Sequence, residues 1–211
     1  MAKLTRAHYH VAHVSTRDAI NVIRKAKKSG LKITCDTAPP YFSLNESKLL
    51  TYNTAFKLSP PLRSEDDRLA IIEGIQDGTI DAIASDHRAR SKDTKAQPFS
   101  AASIGASGIE TLFLITLELV HKKIIDLNKA ISLLTTNPSK VLGINNPSLE
   151  EKKVSDFIIF DEDVPNTIKQ ENLKTSPTPF DGKEVHGKIL ATYINGRAAF
   201  MNEIFKNKVI K

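Results

Sequence analysis

The sequence predicts an α/β protein: a partial (β/α)8 TIM-type barrel of about four βα units, followed by a small β-region. Short strand-like apolar runs alternate with stretches in which apolar residues recur at helical spacing, which is typical of parallel βα units. Polar or ionisable residues follow each predicted strand, as expected at the catalytic edge of such a barrel. After Gly143 the pattern changes to short strands separated by turn residues.

The first part of the chain contains four predicted strands and two predicted helices. The strands are the runs HYHVAHVS, LKITCDTA, AFKLSPPLR and IDAIASDH, at residues 8–15, 31–38, 55–63 and 80–87. The run DAINVIRKAKKSG predicts a helix that stops at Gly30. The run SEDDRLAIIEGIQDG predicts a helix with Ser64 as its N-cap, and acidic residues in its first turn suit the helix dipole.

The second part begins with a long predicted loop, residues 88–108, in which Gly105 and Gly108 are predicted to be turn residues. The runs IETLFLITLELVHKK and NKAISLLTTNPSKVLG then predict two helices. Strand-like runs VSDFIIFDED and EVHGKILATYINGRAAF follow, and the proline-bearing residues 166–182 between them predict a long surface connection. We therefore divide the chain into residues 1–145 and 146–211.

Composition limits the class of protein. The net charge of +6 comes from scattered lysines without interleaved aromatic residues, which argues against a nucleic-acid partner. No run of about 18 apolar residues predicts a membrane span, and the N-terminus lacks an apolar signal core. The single cysteine, Cys35, lies in an apolar run and is predicted to be a core residue. A reducing cytoplasmic location is expected.

The predicted barrel is incomplete. An eight-stranded barrel takes about 250 residues, whereas about four βα units fit before Gly143. Half a barrel has two open edges with unpaired backbone groups. We therefore expect the chain to correspond to the second half of a larger fold, with the first half lost or supplied by a separate polypeptide.

Several motifs occur in an order that resembles the C-terminal half of bacterial dihydroorotases. They are HVAHVST, KLSPPLRSEDDR, DAIASDH, the pattern GxxGIET, NPSKVLGI, VSDFIIFDED and the closing run TPFDG…HGKI…TYINGR. The resemblance covers nearly the whole chain. It implies an amidohydrolase-type barrel with a small β-sandwich, to which residues 146–211 would contribute. It also implies reversible cyclisation of carbamoyl-aspartate to dihydroorotate in pyrimidine synthesis, with one or two zinc ions.

The resemblance implies roles for four residues. His13, in the HVST motif, falls on a zinc ligand, and Asp86, in the SDH motif, falls on the catalytic aspartate that also contacts the metal. Imidazole and carboxylate groups are ordinary zinc ligands, and an aspartate beside the metal can carry a proton. Ser59 and Arg90 fall on positions that would bind the substrate.

The match is nevertheless partial. The strand containing Cys35 should be followed by a histidine ligand, where this chain has Pro39, Pro40 and Tyr41. Proline cannot bind zinc and tyrosine rarely does. His8 and His10 have the spacing of a ligand pair but directly precede the HVST element, so we interpret both as structural.

Simpler interpretations stay open for the two candidate ligands. A lone histidine at a strand end is usually a structural hydrogen-bonding residue, and Asp86 followed by His87 could cap the next segment.

For the function of the whole chain, three hypotheses remain. The first is a dihydroorotase-type hydrolase that is active only if another chain supplies its front half; a homo-oligomer is a further partner left open. The second is a non-catalytic homologue that scaffolds aspartate transcarbamoylase. The third is a gene remnant.

Overall fold

The structure, a computed structural model, describes residues 2–144, 149–151, 155–175, 177–203 and 205–206. Within them the strands form a three-stranded parallel sheet and a three-stranded antiparallel sheet. The strands are β1 (Tyr9–Val11), β2 (Ile33–Thr37), β3 (Ala82–Ile83), β4 (Phe157–Thr167), β5 (Glu184–Ile194) and β6 (Arg197–Met201). The α-helices are α1 (Ala2–Thr5), α2 (Arg17–Lys28), α3 (Pro39–Ser43), α4 (Glu65–Gln76), α5 (Lys92–Lys95), α6 (Ile109–His121), α7 (Leu127–Leu134) and α8 (Thr136–Leu142).

The parallel sheet has the order β1-β2-β3, with α2 between β1 and β2 and α4 between β2 and β3. The predicted alternation of strands and helices is therefore confirmed in this region. The predicted N-cap is also confirmed, since the Ser64 hydroxyl accepts a hydrogen bond from the backbone N–H of Asp67 at 3.2 Å. Helix α2 buries Ile20 and Ile23 against the core, as its apolar spacing predicts.

The predicted third strand, residues 55–63, is wrong. Thr54–Phe56 form a short 3-10 helix, and irregular backbone follows it. Pro60 and Pro61 have no N–H group to donate to a neighbouring strand, so this run is a poor member of a sheet. The described residues therefore contain three parallel strands rather than about four.

The helix predicted from the run NKAISLLTTNPSKVLG is interrupted. The chain leaves helical geometry at Thr135, with φ −129° and ψ −82°, between α7 and α8. Pro138 explains the break, because it has no N–H to donate to the carbonyl of Leu134 and its ring would clash with that carbonyl in a continuous helix.

One apolar core joins the two sheets. Ile20 of α2, Ile75 of α4 and Ile115 of α6 belong to the same buried cluster as Phe180 and Val185, which lie beside and within β5. The interpretation of residues 166–182 as a surface connection is therefore wrong for residue 168 and residues 178–180, which are buried, with Phe180 only 2% exposed. Burial of the phenyl ring stabilises this segment against the core. The boundary between residues 145 and 146 lies outside the described residues.

Cys35 is fully buried in β2, which confirms that it is a core residue. Its thiol donates to the carbonyl of Thr79, and burial raises the pKa of the thiol to about 12. The group is therefore a poor nucleophile at neutral pH. Among the described helices, none has the length and apolar character needed to cross a bilayer.

Candidate metal and active site

The carboxyl-terminal edge of the parallel sheet brings His13, Asp36 and Asp86 together. His13 follows β1, Asp36 lies in β2, and Asp86 follows β3. Because the three strands are parallel neighbours, their ends lie at the same edge of the sheet. His13 Nε2 lies 3.5 Å from Asp86 Oδ1. The two residues predicted to bind a metal are therefore neighbours in space.

Asp36 fixes the position of His13. Its Oδ1 accepts a hydrogen bond from the backbone N–H of His13 at 2.7 Å and one from His13 Nδ1 at 3.0 Å. Burial alone would raise the pKa of Asp36, but its hydrogen bonds with His13 and His10 outweigh burial and lower it. The carboxylate is therefore ionised and acts only as an acceptor, so His13 Nδ1 carries a proton and Nε2 points towards Asp86.

The negatively charged groups around His13 favour either protonation of its imidazole or a cation next to it. The hydrogen bond to Asp36 raises the pKa of His13, burial opposes the shift, and the negative charge of Asp86 adds to it. Two carboxylates thus surround one imidazole at this edge of the sheet. Such an arrangement attracts a cation, whether a proton or a metal ion.

Asp86 is buried, with 7% of its side chain exposed. The Tyr41 hydroxyl donates towards Asp86 Oδ2 at 3.1 Å and also lies 3.0 Å from the carbonyl oxygen of Pro60. Asp86 Oδ1 has no hydrogen-bond partner among the described residues. Its nearest cationic groups are His13 and, at 3.7 Å, Arg88 Nε. A buried carboxylate oxygen without a hydrogen bond is costly, so this atom is the clearest mark of a binding site.

The backbone is unusual at both candidate ligands. His13 has φ +56° and Asp86 has φ +45°, in the left-handed region that residues other than glycine rarely occupy. Strained backbone of this kind is concentrated at functional sites. In both residues it sets the direction in which the side chain leaves the strand end.

The two predicted substrate-binding residues lie in loops. Ser59 is exposed and adjoins Pro60, whose carbonyl lies beside the Tyr41 hydroxyl. Arg90 is exposed, and its Nε donates to the carbonyl of Ile104 at 2.9 Å. Among the described residues, no hydrogen bond or ion pair joins either residue to Asp86. Their assignment to a substrate remains a prediction.

His8 and His10 make the hydrogen bonds of structural residues. His8 Nε2 and His10 Nδ1 both lie 2.8 Å from the Thr34 hydroxyl. His10 Nε2 lies 2.9 Å from Asp36 Oδ2. His10 therefore supports the carboxylate that orients His13, which places it behind the site.

A narrow cleft adjoins Asp86. Pro40 of α3 and Leu58 line one part of it, while Pro179 and Phe180 from the C-terminal region line another. The loop before α6 completes the wall at Gly108, where a Cβ atom would lie 2.2 Å from the carbonyl oxygen of Ser85. Only glycine permits this approach, so the turn assignment of Gly108 has a packing reason.

Sequence reasoning missed three members of the site: Asp36, Tyr41 as a hydrogen-bond donor, and Arg88. A signal for Asp36 was present, because an aspartate inside the apolar run LKITCDTA must be paired if it is buried. Tyr41 carried no such signal. Its role follows from the position of α3 across the end of β3, which the sequence does not show.

The residues present fit part of a zinc site. His13 Nε2 and Asp86 Oδ1 are suitable zinc ligands, and two ligands at tetrahedral geometry lie about 3.3–3.4 Å apart, close to their 3.5 Å separation. Carboxylate–histidine pairs such as Asp36–His13 commonly support zinc ligands. However, the described residues contain no group of three or more histidine, cysteine or acidic side chains arranged to hold a metal. Any further ligands must come from water or another segment.

Comparisons with known proteins show similarity to hydrolases of the amidohydrolase family. The amidohydrolase family profile matches residues 2–199. The chain is 40% identical over 199 residues to the dihydroorotase of Anaplasma phagocytophilum, covering 93% of this chain and 44% of that protein. The chain thus spans less than half the length of this curated relative.

Solved structures share the fold. The dihydropyrimidinase from Brevibacillus agri aligns with a TM-score of 0.86 and 26% identity, covering 96% of this chain and 46% of that one. The inactive dihydroorotase-like domain of the Chaetomium thermophilum CAD-like multifunctional protein aligns with a TM-score of 0.73 and 20% identity, covering 94% and 52%. The paired ligand candidates at the ends of parallel strands, the profile match and these relatives agree, and the chain belongs to the amidohydrolase family.

Proposed function

We propose that this chain supplies part of the active site of a dihydroorotase-type hydrolase, which interconverts carbamoyl-aspartate and dihydroorotate in pyrimidine biosynthesis. The observation that carries the proposal is the buried Oδ1 of Asp86, without a hydrogen-bond partner among the described residues and facing His13 Nε2 at 3.5 Å. The 40% identity to a dihydroorotase supports this substrate among related cyclic amides.

The proposal includes an arrangement of the fold. Residues 1–145 form part of a (β/α)8 barrel, and residues 146–211 form part of a β-sandwich. The three parallel strands described here would join further strands from another segment, another chain or a second copy. This is supported by the outer edge of β1, which pairs with no strand among the described residues, and by the length of the Anaplasma relative.

His13 and Asp86 would hold zinc, with the remaining ligands supplied from outside the described residues. Bound zinc would lower the pKa of a water molecule and so supply a hydroxide nucleophile near neutral pH. Asp86 would take up a proton as the nucleophile forms and donate it to the leaving amide nitrogen. Asp36 would keep the His13 ring oriented throughout, through the 2.7 Å and 3.0 Å hydrogen bonds.

Two arginines and one serine would bind the substrate. Arg88 and Arg90 would attract the carboxylate of the small-molecule substrate, since guanidinium groups bind carboxylates well. Ser59 would offer a hydroxyl for hydrogen bonding. A cytoplasmic location is part of the proposal.

A chimera tests the function. This chain would replace the matching segment of the Anaplasma phagocytophilum dihydroorotase, and the purified protein would be assayed for loss of dihydroorotate with added zinc. We expect turnover by the chimera that Asp86→Ala or His13→Ala abolishes, and no turnover by the isolated 211-residue chain. A chimera that melts cooperatively and contains zinc, yet does not turn over dihydroorotate, would overturn the proposal.

A second candidate function is supported by Pro40 and Tyr41, which stand where the dihydroorotase resemblance calls for a histidine ligand. In this case the chain is a non-catalytic homologue that scaffolds aspartate transcarbamoylase, and the structural neighbour described as an inactive dihydroorotase-like domain is the relevant comparison. Sedimentation of the chain with aspartate transcarbamoylase from the same organism tests it. A stable complex together with an inactive chimera would favour this alternative, and neither complex nor turnover would favour a gene remnant.

A further inference from the structure

Each of the two candidate ligands is held by one neighbouring side chain. Asp36 accepts two hydrogen bonds from His13, one from the backbone and one from Nδ1. Tyr41 donates towards Asp86 Oδ2 at 3.1 Å. Both supporting residues are buried, with exposures of 8% for Asp36 and 3% for Tyr41. These contacts occupy one polar atom on each ligand. Asp86 Oδ1 accepts no hydrogen bond among the described residues, although Arg88 Nε lies 3.7 Å from it.

The free atoms face each other. His13 Nε2 and Asp86 Oδ1 lie 3.5 Å apart, and Oδ1 lacks a hydrogen-bond partner among the described residues. The positive φ angles of His13 and Asp86 direct both side chains from the strand ends. The backbone conformation and one hydrogen-bonded polar atom therefore fix each of the two side chains. The second polar atoms, His13 Nε2 and Asp86 Oδ1, are directed towards the same position between them.

Tyr41 is suited to the role of a donor. A tyrosine phenol carries one proton that it can donate. Its single proton has two acceptors in reach, Asp86 Oδ2 and the carbonyl oxygen of Pro60. The hydroxyl lies on the side of Asp86 away from Oδ1, so it supports the carboxylate without filling the position that faces His13.

We infer that Tyr41 and Asp36 are positioning residues for a divalent metal ion, which orient Asp86 Oδ1 and His13 Nε2 towards one ion. On this inference, Tyr41 is not simply a replacement for a lost metal ligand, and it does not block the site. The inference rests on the proposed function, because it takes zinc as the ion. Outer residues of this kind typically change metal affinity by about 10- to 100-fold.

Calorimetric titration of the full chain with Zn²⁺ tests the inference. Tyr41→Phe removes only the hydroxyl, and we expect it to weaken the zinc affinity that depends on His13 and Asp86 by about tenfold. Asp36→Asn should weaken it similarly. The matched controls are Tyr52→Phe, at an exposed tyrosine, and Asp18→Asn, at an exposed aspartate of α2, and both should leave the affinity unchanged.

A spectroscopic readout separates positioning from general stability. Nitrogen NMR of the His13 imidazole should show a protonated Nδ1 and a zinc-bound Nε2 in the parent chain, and Asp36→Asn should disturb this tautomer while Tyr41→Phe preserves it. Affinity that is unchanged or tighter in a cooperatively melting Tyr41→Phe variant would overturn the inference, since Tyr41 would be a bystander or a blocking group. If the parent shows no zinc binding sensitive to His13→Ala or Asp86→Ala, the metal site of the proposed function fails first, and the inference fails with it.

Discussion

Asp86 is the residue on which the candidate site most depends. One of its carboxylate oxygens takes the Tyr41 hydroxyl, and the other is buried and faces His13. A cation between His13 and Asp86 would satisfy both groups. The pair nevertheless provides two ligands, whereas structural and catalytic zinc sites usually have three or four from protein. Zinc binding by the isolated chain should therefore be weak.

A histidine at position 40 should strengthen the site. Pro40 lines the cleft beside Asp86, and an imidazole there would add a third nitrogen or oxygen ligand. We expect Pro40→His to tighten Zn²⁺ binding at least tenfold, about 1.4 kcal/mol, in calorimetric titration. Tyr41→His is the less favourable variant, because it also removes the hydroxyl that supports Asp86.

Pro98→His, at an exposed loop position, controls for zinc binding by an added surface histidine. Equal affinity in the parent, Pro40→His and Pro98→His would show that this edge of the sheet is not an incomplete zinc site.

At the scale of elements, the segment of residues 174, 175 and 177–180 closes the cleft from the C-terminal region. Glu110, in the first turn of α6, accepts hydrogen bonds from the backbone N–H groups of Lys174 and Thr175. The backbone N–H of Ser107 donates to the carbonyl of Pro177 at 2.7 Å. These contacts place Phe180 against the wall that contains Asp86.

Glu110→Ala should release this segment. The variant leaves the N–H groups of Lys174 and Thr175 without their carboxylate acceptor, and hydrogen bonds to charged groups contribute about 1.5–3 kcal/mol each. We expect amide hydrogen exchange at Lys174, Thr175, Thr178 and Phe180 to become at least tenfold faster, with little change in α2 or α4. Glu171→Ala, at an exposed position of the short 3-10 helix Gln170–Asn172, is the matched control. Unchanged exchange in Glu110→Ala would mean that burial of Phe180 alone holds the segment.

At the scale of the whole molecule, the parallel sheet has an outer edge, on β1, with no partner strand among the described residues. The outer parts of the molecule also expose apolar side chains, including Leu50 at 80% and Phe200 at 49%. Unpaired edges recruit other strands, and exposed apolar surface favours association. These features favour association with further strands or chains.

We therefore expect the isolated chain to self-associate or to lack a single cooperative unfolding transition. Analytical sedimentation over a range of concentrations and thermal melting would check this. Replacing Tyr9, which is 58% exposed in β1, by lysine should reduce association, because a charge on an edge strand discourages pairing. A monodisperse monomer with one cooperative transition at about 45–65 °C would show that the three-stranded sheet is sufficient on its own.

Local sequence by itself determined most of the elements and part of the site. Apolar spacing predicted α2, α4 and α6, and the motif context singled out His13 and Asp86, because both follow strands whose apolar pattern is clear. Prolines were the main source of error: Pro60 and Pro61 remove strand donors from residues 55–63, and Pro138 divides one predicted helix into α7 and α8.

Only the tertiary structure decided the partners of these residues. Asp36, Tyr41 and Phe180 contribute to the site because β2, α3 and the C-terminal segment converge on the end of β3. Such convergence depends on packing between positions far apart in the chain, and no local pattern of hydrophobicity or propensity encodes it. The sequence therefore identified His13 and Asp86 as candidate ligands, whereas the packing of strand ends decided which of their polar atoms are hydrogen-bonded and which are not.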